Sequence, residues 1–176
     1  RDIAQKFNND FQTDLFPIPE PLIFGEAKRV MSLRDGSKKM SKSDPSDYSR
    51  IMLTDTAENI KQKIKKAKTD PYPLPESSSD LESRPEAQNL VSIFAALKDE
   101  SVQNIINEYV GKEFSIFKRD LADLAVSKLE PITTEMNKMM NDISYIDSVL
   151  NTGKDNATSV AEPVLQKTKE IIGFLT

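Results

Sequence analysis

Cysteine, histidine and tryptophan are all absent from this 176-residue chain. Without cysteine there is no disulfide framework, no thiolate nucleophile and no Cys-based zinc or iron–sulfur site. Without histidine there is no Ser-His-Asp machinery, no H-E-x-x-H zinc motif and no imidazole titrating near neutral pH. Any catalysis therefore rests on carboxylates, lysines, arginines, hydroxyls or backbone groups. Aromatic residues make up only 7% and fall mostly at apolar helical positions, which argues against a base-stacking platform. Long apolar runs are missing too. The longest, Leu90 to Leu97, is interrupted by Ser92 and is far below the roughly 20 residues needed to span a bilayer. The opening RDIAQKFNNDF lacks the basic start and apolar stretch of a secretory signal, and it carries too much acid for a transit peptide. A cytoplasmic protein is expected; the acidic opening leans toward a bacterial cytoplasm, with an organelle matrix left open. A chain that begins at Arg1 is also expected to have lost its true start.

The charge that is present is unevenly spread. Residues 1–75 hold 14 basic and 11 acidic side chains, a balance of +3, while residues 76–176 hold 10 and 17, a balance of −7. The acidic portion argues against non-specific coating of nucleic acid, which needs many phosphate-neutralising cations. Ile3, Ala4, Phe7 and Phe11 have helical spacing, and Pro17-Ile18-Pro19 ends that helix. Short strands are expected at Leu22–Phe24, Arg29–Leu33 and Arg50–Leu53. Asp44-Pro45 has the chemistry of a helix start.

From Thr54 onward the periodicity is helical. Thr56 or Asp55 caps a helix with Ile60, Ile64 and Ala67 inward; Pro85 and Ser101 open two more. A longer helix through Phe117 and Leu129 is expected to kink at Pro131, with Met136, Met139 and Met140 in a core. Asp142 starts a helix closed by Gly153, and a last one runs from about Asp155 to Ile172. The expected fold is mainly α. Lys61, Lys65 and Lys68 fall on one helical face, which suits solvent or phosphate contact.

One segment is richer in lysine and hydroxyl groups than packing requires: Ser37-Lys38-Lys39-Met40-Ser41-Lys42-Ser43-Asp44-Pro45. Lysines supply movable point charges and serines supply short donors, a combination that suits phosphate. A lysine-rich surface turn fits the same composition. A Walker A loop does not, because G-x-x-x-x-G-K is absent.

The string Lys39-Met40-Ser41-Lys42-Ser43 resembles the KMSKS signature loop of class I aminoacyl-tRNA synthetases. Its surroundings narrow the likeness. Gly25 to Leu33, Thr54-Asp55, the lysine-rich helix ending in Thr69-Asp70, Arg84-Pro85-Glu86-Ala87-Gln88-Asn89-Leu90 and Ile171 to Leu175 resemble the second half of the tryptophanyl-tRNA synthetase family. That resemblance implies the end of a Rossmann-type α/β catalytic domain over residues 1–53 and an α-helical, anticodon-recognising bundle over 54–176. It implies ATP as substrate, with Mg2+ carried on its phosphates, and no metal site of the chain's own. Lys39 and Lys42 are the implied catalytic cations, Ser41 and Ser43 the phosphate donors, and Val30, Met31 and Met40 further nucleotide contacts. The partners implied are tryptophan and tRNA(Trp), with a homodimer for the full-length enzyme and no membrane. The first half of the active site is missing, so this chain alone is expected to be inactive. A tyrosyl-type class I synthetase and a non-catalytic helical RNA-binding module remain the alternatives.

Overall fold

The computed structural model describes residues 1–23, 25 and 27–174. It is mainly helical: α1 (Asp2–Phe11), α2 (Ala57–Lys65), α3 (Pro85–Lys98), α4 (Val102–Tyr109), α5 (Phe114–Met140) and α6 (Ile143–Ile172), with 3-10 turns at Asp47–Ser49 and Ser78–Leu81. The helix starts follow local chemistry. The Thr56 hydroxyl accepts from Asn59 N–H at 3.2 Å, Ser101 from Asn104 at 3.2 Å and Asp142 from Tyr145 at 3.0 Å. Each satisfies a donor that the first helical turn leaves unpaired. Pro85 sits in the first turn of α3, where its missing N–H costs nothing. Gly173 ends α6 in the left-handed region, at φ 83°.

The chain forms two compact units, Phe24–Lys138 and a discontinuous one of Arg1–Ile23 with Met139–Thr176. In the first, Ile60 and Ile64 of α2, Leu90, Val91 and Phe94 of α3, Ile105, Ile106 and Tyr109 of α4, and Phe117 and Leu121 of α5 share one core. Leu33, Leu74 and Leu81 reach it from the connecting segments. Burying each large side chain fully contributes about 1.5–3 kcal/mol. Phe94, Tyr109 and Phe117 stack mutually at centroid distances of 5.2 to 5.4 Å. In the second unit, α1 packs Phe7 against Phe11 and Phe16, and the Asn8 amide pairs with both backbone groups of Phe16. No residue of α6 is buried.

Several expectations give way. No strand forms among the described residues; Met31 and Lys39 make one isolated antiparallel bridge. Phe24, the end of one expected strand, lies outside the described residues, as does Leu175 of the closing segment. Pro131 does not interrupt α5, and neither Gly153 nor Pro163 interrupts α6. The carbonyls these prolines strip of a partner belong to Ser127 and Ser159, both exposed, so water can replace the lost bond. Met139 and Met140 are exposed rather than core. Asp44 caps no helix; its carboxylate accepts from Ser46 N–H at 2.7 Å, a tight local turn ahead of Asp47–Ser49.

Candidate functional site

The lysine-rich loop is built on a short paired segment. Met40 N–H donates to Val30 O at 3.1 Å and Ser32 N–H to Lys38 O at 2.8 Å, which sets Met31 opposite Lys39. Facing residues between such bonds hold their side chains close together on one face. Four of the expected site residues, Val30, Met31, Lys39 and Met40, are thus brought together. The segment is fastened from behind by α3. Met31 N–H donates to Asn89 Oδ1 at 2.9 Å, and Asn89 Nδ2 donates to Met31 O at 2.9 Å. The buried amide does the work of a neighbouring strand, which is why a one-residue bridge persists without a sheet. Leu33 N–H then donates to Ser49 O, and Lys68 N–H to Leu33 O, joining the segment to the 3-10 turn and the end of α2.

Beyond Met40, which packs partly against the core, Ser41, Lys42 and Ser43 are exposed. Their bonds are internal: Ser41 Oγ and Ser43 Oγ lie 3.1 Å apart, and Ser43 N–H donates to Ser41 Oγ at 3.3 Å. Lys38 pairs with Asp35 at 3.2 Å. Bonds from the Ser37 hydroxyl and N–H, with Lys38 beside them, lower the Asp35 carboxyl to about 2. Lys39 and Lys42 have no hydrogen-bond or ion-pair partner among the described residues. Two exposed ammonium groups therefore project from a loop whose own serines offer two hydroxyls.

The loop's base is held tightly. Gly36 is buried, and a Cβ there would stand 2.5 Å from Glu86 N and Pro85 C. Close backbone approach, not turn geometry, demands glycine at this point. Lys68 pairs with Glu86 at 2.8 Å, and this bond first, with Gly36 N–H also donating, holds the Glu86 carboxyl below its ordinary value. Lys28, Arg29, Met31, Gly36, Gln88 and Asn89 line a cavity of about 280 Å³ beside the paired segment. A larger cavity, about 730 Å³, contains none of the loop residues; Lys61, Lys65, Thr69, Lys118 and Arg119 line it. There Lys61 pairs with Asp123 at 3.0 Å, and burial pushes the Lys118 ammonium below its ordinary value. Lys68 lies beyond the end of α2 and pairs with Glu86, so the expected three-lysine helical face is broken.

Sequence reasoning missed Asn89, Glu86 and Lys63. Lys63, beside Ile60 and Ile64 on α2, is buried and bonds Asp55 at 2.6 Å and Asp47 at 2.9 Å. The signal for it was present: the spacing that turns Ile60, Ile64 and Ala67 inward turns position 63 inward with them. No group of three or more Asp or Glu among the described residues is arranged to hold a metal ion. No helix among them is long and apolar enough to cross a membrane.

The family model for class I tRNA synthetases (W and Y) matches residues 1–130. Two curated relatives are tryptophan--tRNA ligases, from Mesorhizobium japonicum, 52% identical, and Caulobacter vibrioides, 53% identical. Each alignment covers 99% of this chain, with 55% and 51% of the relative. Among solved structures, tryptophanyl-tRNA synthetase from Mycoplasma pneumoniae superposes with a TM-score of 0.81 at 25% identity, covering 100% of this chain and 54% of that one. The Campylobacter jejuni enzyme complexed with ADP and tryptophan gives 0.63 at 27% identity, covering 99% and 52%. The chain spans about half the length of the relatives it matches. With a lysine and serine loop fastened beside Met31, and a family model matching from Arg1 to Glu130, the chain belongs to the class I tRNA synthetases of the tryptophan and tyrosine (W and Y) family.

Proposed function

We propose that this chain is the C-terminal portion of an enzyme that attaches tryptophan to tRNA(Trp) through a tryptophanyl-adenylate, using ATP. The observation that carries it is the pair of exposed, unpartnered ammonium groups, Lys39 and Lys42, on a loop anchored opposite Met31. The tryptophan ligases among the relatives favour tryptophan over tyrosine as the amino acid. When the amino-acid carboxylate attacks the α-phosphorus of ATP, the bond to the bridging oxygen breaks and negative charge accumulates on pyrophosphate. A cation that meets this charge only in the transition state accelerates the step, because it stabilises that state and not the ground state. Lys42, at the loop's exposed tip, takes this role with Lys39. Ser41 and Ser43 exchange their mutual bond for phosphate oxygens.

Val30, Met31 and Met40 form the nucleotide-facing wall. Both main-chain groups of Met31 are taken by Asn89 and Val30 O by Met40 N–H, so among the described residues Val30 N–H and Met40 O are the main-chain groups left to meet the base. Mg2+ arrives on the ATP phosphates. Residues 1–53 complete the catalytic half and 54–176 carry anticodon recognition, in a cytoplasmic homodimer.

Pyrophosphate exchange tests this. In the full-length enzyme, Lys42→Ala lowers kcat by about 10²–10³-fold, the loss typical when one transition-state donor is removed, with tRNA binding nearly unchanged. The 176-residue chain alone gives no exchange. Wild-type turnover in the variant would leave the loop a surface turn and favour the helical RNA-binding alternative.

A further inference from the structure

Behind the signature loop lies a cation that the chemistry above does not use. Lys63 is buried in the core face of α2, and its Nζ lies 2.6 Å from Asp55 Oδ2 and 2.9 Å from Asp47 Oδ2. Asp55 also accepts from Met52 N–H at 2.8 Å and is itself buried. The Asp47 side chain is 63% exposed and stands four residues past Ser43, the last residue of the signature. Between them Arg50 reaches back: one guanidinium nitrogen donates to Asp44 O at 2.8 Å and Ser46 O at 3.2 Å, and the other lies 3.3 Å from Asp47. One ammonium in the core thus holds both ends of the segment that leaves the loop.

A structural role for Lys63 does not account for both acids. Asp55 alone neutralises the buried charge, and a buried ion pair is often replaceable by apolar residues without loss of stability. Burial pushes the Lys63 ammonium down, and its bonds to Asp55 and Asp47 outweigh that, holding it above its ordinary value. The second, exposed carboxylate adds something neutralisation does not require: a tie from the rigid core to the chain just beyond the loop. The other end of the loop is tied through Met40 N–H to Val30 O. Between these ties Ser41 and Ser43 bond each other, and Lys42 has no partner among the described residues. Where the Lys42 ammonium falls is therefore set by these ties, with the Arg50 bonds to Asp44 O and Ser46 O between them. Arg50 Nε, buried without a partner among the described residues, marks the same segment as one whose hydrogen bonding is incomplete in this arrangement.

We propose that Asp47 and Lys63 form a positioning latch that sets the register of the signature loop, so that Lys42 reaches the leaving pyrophosphate. This rests on the catalytic reading of Lys42. Misplacing a catalytic group by about 1 Å costs on the order of 100-fold, so a loosened but still tethered loop should lose roughly 10- to 100-fold in rate.

The test uses the full-length enzyme and ATP–pyrophosphate exchange, with Asp47→Ala, Asp47→Asn, Lys42→Ala and the double variant Asp47→Ala/Lys42→Ala. Asp47 is exposed and Asp55 remains to neutralise Lys63, so its variants are expected to fold, and their melting temperatures are read beside the rates to separate lost stability from a lost latch. Asp47→Ala is expected to lower kcat by about tenfold or more, with KM for tryptophan unchanged, and Asp47→Asn to recover part of the loss through its remaining oxygen. Because the latch acts through Lys42, Asp47→Ala should cost little in a Lys42→Ala background. Wild-type kcat in Asp47→Ala beside a crippled Lys42→Ala overturns the latch alone. Losses that multiply in the double variant do the same. Full activity in Lys42→Ala overturns the catalytic reading, and the latch with it. Should Asp47→Ala fail to fold, Asp47→Asn and its own double variant carry the comparison.

Discussion

Asn89 is the most informative single residue to change, because it alone supplies the pairing that a neighbouring strand would normally give the Val30–Ser32 segment. Its amide makes two 2.9 Å bonds to Met31 and a weaker 3.5 Å one to Ser32 O. A net 0.5–1.5 kcal/mol for each strong bond gives about 1–3 kcal/mol for Asn89→Ala. Met31 is half-buried, so water reaches part of what is orphaned and the cost stays near about 2 kcal/mol. In domains of this size that lowers the melting temperature by roughly 5–10 °C. An isosteric companion separates bonding from packing. Asn89→Asp still accepts from Met31 N–H but turns a carboxylate oxygen toward Met31 O and Ser32 O. It should cost at least as much as Asn89→Ala at neutral pH. Burial and the facing carbonyls raise that carboxyl's value, so its protonated form, which can donate, restores stability as pH falls. Hydrogen-exchange mass spectrometry of the intact protein reads the effect locally: the Met31, Ser32 and Met40 amides lose protection while α4 keeps its own. Wild-type melting with unchanged exchange at Met31 and Met40 would refute the role given to the amide.

Two further outcomes follow from the same base of the loop. Gly36→Ala places a methyl group 2.5 Å from backbone atoms of Pro85 and Glu86, and rigid backbone cannot yield as a side chain tip can. The overpacking should cost about 1–3 kcal/mol, and a melting curve that overlays the wild type would contradict the close approach. Acid stability reports on Asp70, which Arg84 grips at 2.6 and 2.9 Å. Burial pushes that carboxyl up and the Arg84 bonds outweigh it, leaving it below its ordinary value of 3.8. A depressed carboxyl stabilises fully above its unfolded value and ceases to do so as pH falls through its folded one. Arg84→Met should therefore lower stability at pH 7 and flatten its dependence on pH below about 4, and an unchanged acid limb in urea titrations would count against the pairing.

Much of the helical frame was legible because it depends on local chemistry. Thr56, Ser101 and Asp142 are capping residues wherever they precede an apolar periodicity, and Gly173 is where a left-handed residue ends a helix. What misled was punctuation in exposed stretches. Gly153 reads as a break, yet in α6 nothing is buried, and water meets the groups that Pro163 in the same helix leaves unpaired. The strand expected at Arg29–Leu33 shrinks to a single bridge at Met31, because an amide 58 residues away takes the Met31 backbone groups that a neighbouring strand would have paired. The signature loop was legible as a string, and its ties were not. Glu86 and Lys63 bond to residues distant in sequence, and only the buried face of α2 marked Lys63 as unusual.

The discontinuous unit has a consequence for synthesis on the ribosome. Its second part, Met139–Thr176, is made only after the whole of Phe24–Lys138 has followed Arg1–Ile23. At about 5–20 residues per second the wait is on the order of ten seconds, far longer than a small helical domain needs to fold. The contiguous unit, with the signature loop and its ties, can be finished before the second part of the discontinuous unit has been made. The order of synthesis thus sets an order of folding: the unit that carries the signature loop can form first, and the discontinuous one is completed last.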